Sequence, residues 1–105
     1  MVLFFGFILK LIDSKLFSRM KITFTKHSLE RAKERSINKK DLNRAIYYPD
    51  KIDQSSKNSK RILIKKIYYN GKLKADHLLM IICEKESDVL KVVTIIDTSK
   101  ISKYY

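Results

Sequence analysis

The sequence predicts an α+β fold, in the order β-α-α-β-β-β-β, with an antiparallel sheet carrying two helices on one face. Three observations lead there. A short alternating strand (Lys21-Ile22-Thr23-Phe24) runs straight into two closely spaced, capped helical segments. From Lys51 onward the chain turns to apolar and β-branched runs. Between the runs ending at Tyr69 and beginning at Leu78 stands Asn70-Gly71, the strongest short hairpin signal in the chain.

Thr25 is the expected N-cap of the first helix, with Leu29, Glu30, Arg31, Ala32, Lys33 and Glu34 as good helix formers behind it. This helix is expected to end near Arg35 or Ser36, with Leu29, Ala32 and Ser36 turned toward a core. Asn38 is the expected cap of the second helix, paired with Asp41 at its third position. Leu42, Ala45 and Ile46 make its apolar stripe, and Pro49 stops it. Lys51–Gln54 reads as a brief strand, Ser55 to Ser59 as a polar loop, and Arg61 to Tyr69 as a strand entering the hairpin. Leu78 to Cys83 is the apolar, central return strand; Glu84 to Asp88 is a charged turn, and Val89 to Ile96 a last β-branched strand.

A chain of 105 residues allows one domain with a modest core. Hydrophobic and charged fractions of 45% and 32% suit a folded globular protein and argue against a disordered one. The net charge of +12 points to a polyanionic partner: RNA, DNA, anionic lipid or an acidic protein. The plainer alternative is a lysine-rich surface that only confers solubility. A lone cysteine, Cys83, forms no intrachain disulfide, so a reducing, cytoplasmic setting is expected. Its apolar neighbours mark it as a core residue rather than a nucleophile. Two histidines and one cysteine, widely separated, show no metal-ligand spacing, and no cofactor motif is present.

Residues 1–19 do not share this grammar. Val2 to Ile12 is nearly continuous apolar sequence, broken by Gly6 and Lys10. That is shorter than the roughly 20 apolar residues of a membrane-spanning helix. It also lacks the basic start and the small-residue cleavage site of a signal peptide. Three readings stand: translated upstream sequence with Met20 as the initiator, a membrane or signal segment, or a helix packed on the domain. The domain itself is expected to occupy residues 20–105.

The candidate site lies on the first helix. His27, Arg31 and Arg35 are spaced i, i+4, i+8, which at about 100° per residue forms one slowly drifting stripe. It combines an imidazole, which ordinarily titrates near neutrality, with two permanent cations. Guanidinium matches phosphate oxygens in two-pronged geometry, so the stripe outlines a phosphate-handling surface. The plainer account pairs the arginines with Glu30 or Glu34 on the surface, at little energetic gain. Lys26 adds charge beside the stripe, while Thr94, Ser99 and Lys100, late in the last strand and after it, are expected to close the site from the sheet side. His77, beside Asp76, reads as a strand-surface histidine, with a second titrating group as the alternative; the six tyrosines read as covers for the edges of a small core, with stacking on bases as the alternative.

The chain resembles a widespread family of small prokaryotic domains of unknown function with an H-x-x-x-R-x-x-x-R helix. The matching residues are Ile22-Thr23-Phe24-Thr25-Lys26-His27, Arg31, Arg35-Ser36-Ile37, Tyr48-Pro49-Asp50, Val92-Val93-Thr94 and Thr98-Ser99-Lys100. Many members carry glycine where this chain has Ser36, which leaves the helix end less sharply defined here. Such domains look like relatives of the RelE-like and barnase-like ribonuclease toxins. The resemblance implies a metal-independent endoribonuclease with His27 as general acid or base, Arg31 and Arg35 on the phosphate, and an acidic antitoxin as protein partner. Two other functions are carried beside it: a non-catalytic RNA- or DNA-binding module on the same basic face, and a membrane-associated protein anchored through residues 1–12.

Overall fold

A computed structural model describes residues 20–54 and 60–105. Strand β1 (Lys21–Phe24) leads through Thr25 into helix α1 (Lys26–Glu34), which is followed by α2 (Lys39–Tyr47). Four strands come next: β2 (Lys51–Gln54), β3 (Arg61–Asn70), β4 (Ala75–Glu86) and β5 (Val89–Thr98). A single-turn helix, α3 (Ile101–Tyr104), closes the described chain. Both helix starts follow the expected chemistry: Thr25 accepts the Ser28 N–H at 3.1 Å and Asn38 the Asp41 N–H at 2.8 Å. The expected loop at 55–59 and the segment 1–19 lie outside the described residues.

Two expectations are corrected. The sheet is mixed rather than antiparallel: its order is β1-β5-β4-β3-β2, and β1 lies parallel to β5 with Ile22 beside Leu90 and Phe24 beside Val92. No local signal marks this pairing, because it joins segments more than sixty residues apart in the sequence. The element order also gains α3, so it is β-α-α-β-β-β-β-α. Four residues are too few to show a helical period. What holds α3 is tertiary: Lys51 Nζ donates to the Tyr105 carbonyl at 2.8 Å and sits 4.2 Å from the centre of its ring.

The core forms between α1, α2 and one sheet face. Ala32, Ile37, Ala45 and Ile46 pack on Ile64, Ile81, Cys83, Leu90, Val92 and Ile95. Of the expected inward residues on α1, Ala32 is buried, but Leu29 is 53% exposed and Ser36 lies at the surface. Ser28 takes the inward place instead. Its hydroxyl donates to the Thr25 carbonyl at 2.8 Å, so it is buried without losing a hydrogen bond.

The end of α1 is sharp. Ile37 N–H reaches the Ala32 carbonyl at 2.9 Å and Ser36 N–H the Lys33 carbonyl at 3.1 Å, the two bonds of a Schellman cap. Ser36 itself takes the left-handed conformation, φ 56°, that glycine adopts without strain. The hairpin is longer than a two-residue turn: β3 and β4 are joined through 71–74, and Lys74 rather than Gly71 has positive φ. Asn70 Oδ1 closes this turn by accepting from Lys72 N–H (3.1 Å) and Leu73 N–H (3.0 Å).

Candidate functional site

Helix α1 is fastened to the sheet at both ends. At its start the Thr25 hydroxyl donates to the Val93 carbonyl at 3.0 Å. Val93 is the extra residue of a β-bulge: Ile82 pairs with Thr94 and Cys83 with Val92, so Val93 has no opposite number on β4. At the far end, Lys72 Nζ in the β3–β4 turn donates to the Ser36 hydroxyl at 3.2 Å. The helix thus runs from the middle of β5 toward the turn where β3 ends and β4 begins.

On this helix His27 and Arg35 are exposed, with Arg31 between them at a side-chain exposure of 34%. Because Ser28 and Ala32 are the inward pair, the stripe begins on the open side and drifts toward the packed one. Arg31 therefore lies on the flank. Its Nε is the one fully enclosed, unpartnered side-chain nitrogen or oxygen among the described residues, while its head reaches Glu34 at 3.6 Å. That surface pair is long and half in water, so it contributes little energy and is easily exchanged for another anion. His27 has no side-chain hydrogen bond among the described residues. Lys26 is exposed at the first turn of the same helix.

Of the three residues expected from the sheet side, Thr94 does not face this stripe. Thr94 pairs with Ile82, whose neighbours Ile81 and Cys83 point into the helix-covered core, so Thr94 lies on the opposite sheet face. Ser99 and Lys100 are exposed beyond β5, where Lys100 N–H donates to the Thr98 hydroxyl at 3.1 Å ahead of α3.

A second polar cluster, not expected from the sequence, sits on the helix-covered face at the sheet end toward which α1 runs. His77 is 6% exposed, not on the strand surface, and its partner is Asp97 rather than the adjacent Asp76. Its Nδ1 lies 3.0 and 3.2 Å from the two Asp97 carboxylate oxygens. The Tyr68 hydroxyl donates to Asp97 at 2.6 Å and accepts from Asn70 Nδ2 at 3.2 Å. Burial, helped by this bond to Asp97, pushes the Tyr68 phenol well above its ordinary range, so it stays a donor. The signal that finds the group is period two: residues 68, 77 and 97 all fall on the core-facing register, where a polar side chain needs a partner.

The other motif residues are structural. Pro49 is fully buried, and Asp50 accepts the Ile67 N–H at 2.7 Å and Lys66 Nζ at 3.3 Å, extending the edge just ahead of β2. Cys83 is buried in the core and its thiol is pushed up to about 12 by burial, which keeps it un-ionised at neutral pH. No helix among the described residues is long and apolar enough to cross a membrane.

Comparison with known proteins returns a family model described as a domain of unknown function, DUF4258, which matches residues 24–97. The match takes in the whole of α1 and ends on Asp97; Ser99, Lys100 and α3 lie beyond it. No curated protein and no solved structure matches the chain.

Proposed function

The chain belongs to the DUF4258 family, and on that premise we propose that it is a metal-independent endoribonuclease domain of the RelE-like or barnase-like kind, working on RNA in the cytoplasm. The observation that carries this is the α1 stripe: an exposed imidazole one helical turn from a guanidinium whose only ion pair among the described residues is a weak surface one. Around it the chain is strongly basic, at +12 overall.

In such a reaction a base removes the 2′-hydroxyl proton and the 2′-oxygen attacks phosphorus. The P–O5′ bond breaks and an acid protonates the leaving 5′-oxygen, giving a 2′,3′-cyclic phosphate and a 5′-hydroxyl. His27 is suited to one of the two proton transfers. Arg31 and Arg35 neutralise charge on the phosphorane oxygens, and Lys26 steers the backbone toward the helix. An acidic protein that covers this face would act as the antitoxin.

The second reading, a binding module that performs no chemistry, draws on His27 having no orienting partner among the described residues. Incubating the full chain with RNA in EDTA separates the two. We expect cleavage that falls by about 100-fold or more in His27→Ala while binding persists. Binding without cleavage at any pH would leave the module. Affinity that does not weaken as salt rises would remove both, because phosphate contacts release counterions.

A further inference from the structure

Resting on the ribonuclease reading, we propose that His77, held by Asp97, is a second proton-transfer residue for the phosphodiester that Arg31 binds. Cleavage without metal needs both a base and an acid, and the α1 stripe offers one imidazole. The other imidazole of this chain has the geometry of an oriented acid–base group. Asp97 takes the Nδ1 side at 3.0 Å, so Nδ1 carries the proton and Nε2 presents the lone pair. Nε2 has no protein partner among the described residues, and the His77 side chain keeps 8% of its surface exposed.

The Asp97 carboxylate is itself fixed by Tyr68 at 2.6 Å, and Tyr68 by Asn70 at 3.2 Å. Asn70 is anchored in turn by the backbone of the β3–β4 turn. This chain makes Asp97, Tyr68 and Asn70 positioning residues and leaves one group free to exchange a proton.

Placement supports the assignment. From the Thr25–Val93 hydrogen bond, Arg31 is six helical residues along, a rise of about 9 Å. Asp97 is four strand residues along β5, about 13 Å. Since α1 heads for the β3–β4 turn, His27, Arg31 and the His77–Asp97 pair follow one another toward this end of the sheet. On this proposal both imidazoles serve a phosphate bound by Arg31: one abstracts the 2′-hydroxyl proton, the other delivers a proton to the 5′-oxygen. The titratable groups that act on this cluster are Asp97 on β5, Tyr68 on β3, and Asp41 on α2, whose charge acts on Tyr68.

The test uses the full-length chain and two readouts. First, RNA cleavage in EDTA is followed across pH for the wild type, His77→Gln and Asp97→Asn. His77→Gln should bind RNA within about threefold of wild type but cleave it about 100-fold more slowly. Asp97→Asn should displace one limb of the pH–rate profile, a change that a purely structural role would not produce. Second, uridine 3′-monophosphate is titrated into the ¹⁵N-labelled wild type. The His77 Nε2 resonance should shift, and that shift should vanish in Arg31→Ala.

Wild-type rate and pH profile in folded His77→Gln would overturn the assignment. A wild type that cleaves no RNA would sink the ribonuclease reading separately. The nucleotide titration then decides the site on its own: a shifted Nε2 supports His77 facing a phosphate, and an unmoved one ends the proposal. The same titration decides if His77→Gln does not fold.

Discussion

The two histidines of this protein occupy opposite kinds of ground. His27 stands in water on the first turn of α1, answerable to no other side chain among the described residues. His77 is buried on the helix-covered face of the sheet and is tied through Asp97 and Tyr68 into the hairpin turn. What separates them is cost. A surface imidazole loses almost nothing by keeping its hydrogen bonds with water. A buried one persists only where carboxylate and hydroxyl partners offset its desolvation. Residue type alone therefore says little about which histidine matters for the fold and which only for what the fold binds.

The contrast breaks most directly in stability. His77→Ala should cost about 3–5 kcal/mol, because it leaves the Asp97 carboxylate buried with one partner gone. His27→Ala should stay within about 0.5 kcal/mol in the same urea titration. Equal losses would mean the two environments are energetically alike. A smaller effect is expected at the Pro49-Asp50 turn. Asp50→Ala should cost about 1–3 kcal/mol by orphaning the Ile67 N–H, with RNA affinity unchanged, since Asp50 braces an edge strand rather than the site.

Tyr68→Phe sharpens the picture through pH. The mutation should cost about 1 kcal/mol at neutrality from the lost bond to Asp97. The Tyr68 phenol, ordinarily at 10.0, is raised by burial and then by Asp97, so the unfolded chain gives up this proton first as pH climbs. Stability should therefore be intact below about pH 10 and decline above it, and Tyr68→Phe should flatten that decline. The smallest change is a gain: Ser36→Gly should raise stability by about 0.5–1 kcal/mol, because Ser36 holds a left-handed φ of 56° at the end of α1. A loss on that substitution, seen in the midpoint of thermal unfolding, would show that the Lys72–Ser36 bond outweighs the backbone term.

Much of the local grammar was legible. Thr25 and Asn38 cap the helices expected of them, Leu42, Ala45 and Ile46 face the core, and Lys51–Gln54 is a strand. These are short-range effects, decided by a side chain and a backbone group a few residues away. The inward side of α1 is Ser28 and Ala32, not the expected Leu29, Ala32 and Ser36. Ser28 enters the core only once its hydroxyl has found the Thr25 carbonyl. His77 was assigned to the surface for a related reason. Its partner Asp97 is twenty residues away in sequence and next to it only after β4 and β5 pair.

The amino-acid order by itself settled where helices and most strands begin, the basic character of the chain, and the spacing that lines His27, Arg31 and Arg35 along α1. Those follow from neighbours within a turn or two of chain. Only the tertiary structure decided that β1 runs parallel to β5, that Thr94 faces away from α1 and α2, and that Tyr68, His77 and Asp97 meet. Strand partnership is a contact between distant segments, and burial then sets which polar groups must find each other.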